Sequence, residues 1–90
     1  MNDSQIVKLK EIIRNVCKIE NENGFVDEKL ENENCDLKDD LGFDSLLFVE
    51  LIVDIEDEFG FEFDLDLVDI SKLRLFGELK AIVSQHLMEN

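Results

Sequence analysis

A four-helix bundle, all-α, is the fold this sequence predicts, with three longer helices, one short helix and a long loop between helices 1 and 2. Three observations lead there. Apolar residues return every three or four positions in several separate stretches, as they do on one-sided helices. No stretch alternates apolar and polar residues in the way a half-buried strand does, and no tandem turn signals appear. Proline, tyrosine and tryptophan are absent from the 90 residues.

The first helix is predicted from Asp3 or Ser4, either of which can cap it, to about Ile19. Ile6, Leu9, Ile13 and Val16 give it one apolar face. Asn21-Glu22-Asn23-Gly24 breaks it. The connection that follows runs to about Phe43. Loops of that length are functional or pinned by their own apolar residues. Phe25, Val26, Leu30, Leu37, Leu41 and Phe43 are the expected pins, around a short helical turn. The second helix opens after Gly42-Phe43 with Asp44 as N-cap, runs to about Phe59, and is stopped by Gly60. A short third helix is expected over Leu65 to Ile70. The last runs from about Leu75 to Met88, with Phe76, Leu79, Val83 and Leu87 facing inward.

Ninety residues make one domain, residues 1–90, with one modest core and no deep cleft between lobes. Its 23 acidic residues against 9 basic ones give a formal charge of -14, which repels phosphate backbones and anionic lipid and attracts proteins with basic patches. The expectation is therefore a monomer with protein partners, without nucleic acid or membrane. The opening Met1-Asn2-Asp3-Ser4 shows no export signal and no apolar run reaches the length of a membrane span, so a cytoplasmic location is expected. Cys17 and Cys35 have no metal-site spacing and are expected to be reduced thiols.

The second helix carries two apolar stripes. At about 100° per residue, Phe48, Leu51, Ile52, Ile55 and Phe59 share a core arc. Leu46, Val49 and Val53 lie roughly a third of a turn away, and Glu50, Asp54, Asp57 and Glu58 fill most of the remainder. Either the helix is central and both stripes are buried, or the second stripe faces water and docks onto partners, ringed by carboxylates that steer them. Leu47 falls among the acidic positions and is a further candidate for the docking face.

Residues 41–46 read Leu-Gly-Phe-Asp-Ser-Leu, preceded by Asp39-Asp40 and followed by Val49-Glu50-Leu51 and Ile55-Glu56-Asp57-Glu58-Phe59. Over about residues 37–64 the chain resembles the acyl carrier protein family, whose attachment site is a Leu-Gly-x-Asp-Ser-Leu stretch at the start of the second helix. The resemblance implies that Ser45 receives 4'-phosphopantetheine from coenzyme A through a phosphopantetheinyl transferase. The arm then carries acyl groups as thioesters between acyl-loading and acyl-processing enzymes with basic docking patches. A serine in a helix's first turn suits this, because free N–H groups and the positive end of the dipole favour a phosphate. Asp44 beside it caps the helix, and Gly42 permits a tight approach.

The sequence departs from the family pattern at three places. Leu47 stands where many members have a polar or acidic residue. Phe48 stands where smaller residues are common, and its ring would fill space near the site, so short or exposed cargo is expected. Leu75 replaces the hydroxyl residue that usually caps the last helix. The resemblance leans toward fatty-acid or polyketide carriers; a peptidyl or aminoacyl carrier of a specialised pathway and an acidic helical adaptor without a prosthetic group are the alternatives. An enzyme lacks support: His86, the one histidine, lies in the final turn of the last helix, and nothing beside Ser45 argues for its activation. A calcium loop starting at Asp36 fails because Lys38 and Leu47 would occupy its third and twelfth positions.

Overall fold

The computed structural model describes residues 2–17, 24–63 and 73–89, which fold as four helices with no β-sheet among them. Helix α1 (Asp3–Val16) starts at Asp3 as expected, but its cap is neither Asp3 nor Ser4. Asn2 is the N-cap: its side chain accepts the Gln5 amide while the Gln5 side chain accepts the Asn2 amide, a reciprocal box that satisfies two orphan donors. The helix ends at Val16, short of Ile19, where Cys17 turns extended. Leu9, Ile12, Ile13 and Val16 are buried, and Ile6 is only half-buried.

The long connection contains α2 (Phe25–Leu30), the short helical turn expected there. Val26, Leu30, Leu37, Leu41 and Phe43 are its buried pins. Phe25 is not one of them. It is 38% exposed, with the Lys29 ammonium 5.5 Å from its ring centre. Arg14 of α1 meets Asp27 of α2 at 2.6 Å and closes the first corner.

Helix α3 (Ser45–Phe59) follows Asp44 and ends at Gly60, whose φ of +73° is the left-handed stop that glycine adopts without cost. It packs against α1, and Lys8 of α1 lies 3.6 Å from Glu58. The short helix expected over Leu65 to Ile70 lies outside the described residues. Helix α4 (Phe76–Glu89) begins one residue after Leu75, which instead forms an isolated antiparallel bridge with Asp36. Phe76, Leu79 and Val83 are buried on its inner face; Leu87 is half-buried against the same core. His86 stacks nearly parallel on Phe61 at 4.6 Å, and Phe63 meets it edge-on at 5.7 Å. This histidine is a packing residue at the core edge.

Candidate functional site

The segment leading into α3 is shaped by its own polar groups. One oxygen of the Asp36 carboxylate accepts the amides of Lys38 and Asp39, at 2.9 and 3.1 Å. The Asp40 carboxylate accepts the Asp36 amide at 2.9 Å. The chain closes with Gly42 donating to the Lys38 carbonyl at 3.0 Å and Phe43 donating to the Leu37 carbonyl at 2.9 Å. Gly42 makes this reversal at φ +73°, a region open to glycine and strained for residues with a Cβ. Leu41 and Phe43 on either side are buried, so the loop is anchored where it hands over to the helix.

Asp44 is extended and caps α3, as its residue type predicted. Its Oδ1 accepts the Leu47 amide at 2.9 Å and its carbonyl accepts the Phe48 amide at 3.0 Å. Ser45 is the first residue of the helix and its side chain is exposed. Its own amide and that of Leu46 are the first in the helix and have no carbonyl four residues back to receive them. An exposed hydroxyl therefore stands at the positive end of a 15-residue helix.

The two stripes of α3 separate as the docking reading requires. Phe48, Leu51, Ile52 and Ile55 are buried and Phe59 is half-buried. Leu46, Val49 and Val53 are 68%, 54% and 48% exposed. Glu50, Asp54 and Asp57 are exposed beside them, and none joins an ion pair among the described residues. One expectation fails. Leu47 is only 4% exposed and belongs to the core. At about 100° per residue it stands roughly 40° from Leu51, so the core arc reaches it and the docking face does not.

A family profile described as a phosphopantetheine attachment site matches residues 7–79 of the chain. An acyl carrier protein of Thermotoga maritima is 37% identical over 78 residues, which cover 87% of this chain and 94% of that protein. An acyl carrier protein of Lactobacillus johnsonii is 32% identical over 77 residues, covering 86% and 94% respectively. The chain belongs to the acyl carrier protein family. Membership implies a covalently attached 4'-phosphopantetheine. The start of α3 fits such a group: a phosphodiester needs a reachable hydroxyl and gains from nearby unpaired amides, and Ser45 offers both. The group supplies a flexible arm ending in a thiol that holds acyl groups as thioesters. The carboxylate of Asp44 is turned onto the Leu47 amide, which lessens its repulsion of a phosphate next door.

The remaining reactive groups are built differently. Both cysteines are free; Cys35 is buried, and burial, with Asp40 and Asp36 adding, pushes its thiol up to about 11 against the pull of Lys29. No cluster of His, Cys, Asp and Glu able to hold a metal exists among the described residues. No helix among them is long and apolar enough to cross a membrane. Nothing in the sequence marks the backbone bonds that tie residues 33–37, in the loop before α3, to residues 74–77 at the start of α4. No local pattern marks contacts between residues 37 to 47 positions apart.

Proposed function

We propose that this chain, as one domain over residues 1–90, is a non-enzymatic carrier of acyl thioesters whose attachment residue is Ser45. The observation that carries the reading is the exposed Ser45 hydroxyl at the capped start of α3, with an exposed apolar stripe running away from it. In the attachment step the Ser45 oxygen forms a new ester bond to the phosphorus that bears the pantetheine of coenzyme A. The diphosphate bond of coenzyme A breaks, adenosine 3',5'-bisphosphate leaves, and the serine proton passes to a base on the transferase. The chain's own contribution is presentation, and the neighbouring Asp44 carboxylate is engaged in capping the helix through the Leu47 amide.

Leu46, Val49 and Val53 with Glu50, Asp54 and Asp57 form the proposed docking face. Carboxylates around an apolar stripe suit partners with a basic rim and an apolar centre, such as the transferase and the enzymes that load and process the cargo. They speed encounter more than they tighten binding, which suits a carrier that must let go. The pathway we favour is fatty-acid or polyketide synthesis, in the cytoplasm, with the carrier a monomer. Cargo is expected to be short or to stay out on its arm, because Phe43 and Phe48 pack ring against ring behind the attachment residue.

Incubation with coenzyme A, magnesium and a broad-specificity phosphopantetheinyl transferase tests the central claim. The mass should rise by one phosphopantetheine, and the Ser45→Ala variant should show no rise. No gain on the unaltered chain, under conditions that load a control carrier, supports the acidic adaptor instead.

A further inference from the structure

The loop that delivers Ser45 is wired to the start of the last helix. Leu37 donates its amide to the Arg74 carbonyl at 2.7 Å, Phe76 donates to the Cys35 carbonyl at 2.9 Å, and Gly77 donates to the Glu33 carbonyl at 2.8 Å. Helix α4 thus has its first amides satisfied by the loop's carbonyls. The side chains repeat the tie. Arg74 Nε lies 3.0 Å from Asp36 Oδ2, and Lys80 bonds the Glu33 carboxylate. Asp36 is the node. Its second oxygen holds Arg74 while its first holds the Lys38 and Asp39 amides that begin the turn toward Ser45.

From this arrangement we infer that Asp36, steadied by Arg74, is a positioning residue for Ser45, fixing the 36–43 turn so that the serine is presented to the enzyme that modifies it. The inference rests on the carrier reading for its enzymatic readout. The physical path is continuous: the Asp36 turn leads to Leu37, whose carbonyl takes the Phe43 amide, and Phe43 is the last buried anchor before the Asp44 cap. Charge-assisted bonds of this kind are about twice as strong as neutral ones. Without them the turn samples other conformations, and a transferase that needs the competent one sees its apparent KM rise by the inverse of the competent fraction. The transfer step itself is untouched.

The experiment is steady-state kinetics of phosphopantetheine transfer to the full chain, with the carrier as the varied substrate. Asp36→Ala should raise KM about tenfold and leave kcat within about a factor of two. Arg74→Met should raise KM by less, because the amide bonds of Asp36 survive, and Arg74→Lys should return it toward the unaltered value. Should Asp36→Ala fail to fold, Asp36→Asn takes its place; it keeps an acceptor for the amides and loses the charge that holds Arg74. Hydrogen exchange gives a second readout that needs no modification at Ser45. Protection of the Phe43 and Leu47 amides should fall in the Asp36 variants while that of the Ile13 amide in α1 stays. A lowered melting temperature with unchanged KM and unchanged exchange at Phe43 and Leu47 overturns the inference and leaves Asp36 a general stabiliser. If the unaltered chain accepts no phosphopantetheine, the carrier reading fails, and the exchange data still decide the positioning role.

Discussion

The rings of Phe43 and Phe48 lie 5.4 Å apart at 52° to one another, one residue before the α3 cap and the other in the first turn beyond it. They join the loop that precedes the helix to the face that the helix buries, directly behind Ser45. A tilted pair at this separation adds about 0.5–1.5 kcal/mol beyond the apolar area it removes from water. Both rings are buried, so truncation leaves a void that the neighbouring helix cannot easily close. Phe48→Ala should therefore lower stability by about 3–5 kcal/mol, measured by urea denaturation. Val49→Ala, exposed on the same helix, should change it by less than about 0.5 kcal/mol. Equal losses at the two positions would mean that the faces of α3 are misassigned.

The Asp44 cap should be worth about 1 kcal/mol. Asp44→Ala removes the acceptor of the Leu47 amide and should lower the urea midpoint accordingly, whereas Asp44→Asn retains an acceptor and should lose less. If the two substitutions cost the same, the charge at the helix start matters more than the hydrogen bond.

Gly77 lies where the last helix comes close to the backbone of the loop. A Cβ there would meet the Glu33 carbonyl oxygen at 3.0 Å and the Glu33 Cβ at 3.1 Å. Overpacking costs about 1–3 kcal/mol, while alanine recovers up to about 1 kcal/mol of helix propensity. Gly77→Ala should therefore come out destabilising on thermal melting. A raised melting temperature would show that the loop yields freely at Glu33.

Glu33 gives the pH dependence its sign. Its hydrogen bond from Lys80, reinforced by the ammonium charge and opposed by slight desolvation, holds its carboxyl below the ordinary value of 4.5. A carboxyl depressed in the folded state binds fewer protons there than in the unfolded chain. Its contribution is thus present above the unfolded value and is lost as pH falls through the folded one. The stability difference between the unaltered chain and Glu33→Gln should be constant from pH 7 to 6 and shrink on acidification. Because the pair is on the surface, added salt should shrink it too. A gap that is insensitive to both would contradict the ion pair.

Reversing Glu50 and Asp54 to lysine should slow loading by the transferase, chiefly through the rate of encounter, and leave the fold intact because both side chains are exposed. Loading of the unaltered chain should slow with ionic strength, and loading of the double variant should respond less. Identical salt profiles would remove electrostatic steering from the account.

The three longer helices, their core faces and the Asp44-Ser45 start are legible in the sequence because each is a local matter. Helical periodicity at Leu9, Ile13, Leu51, Ile55, Leu79 and Val83 says which side must be covered, and an aspartate before a helical run says where the run begins. Periodicity also separated the exposed stripe of Leu46, Val49 and Val53 from the core, but it could not say how wide the core arc would be. That depended on what packs beside the first turn, and it took Leu47 inside. The cap of α1 falls on Asn2 because its partner Gln5 is in reach, and the last helix begins a residue late because Leu75 is drawn into a bridge with Asp36. Tertiary structure alone decided the tie between residues 33–37 and 74–80. Part of it is made by backbone amides and carbonyls that residues carry alike, and its side-chain pairs, Asp36 with Arg74 and Glu33 with Lys80, join positions too far apart in sequence for any local pattern to link.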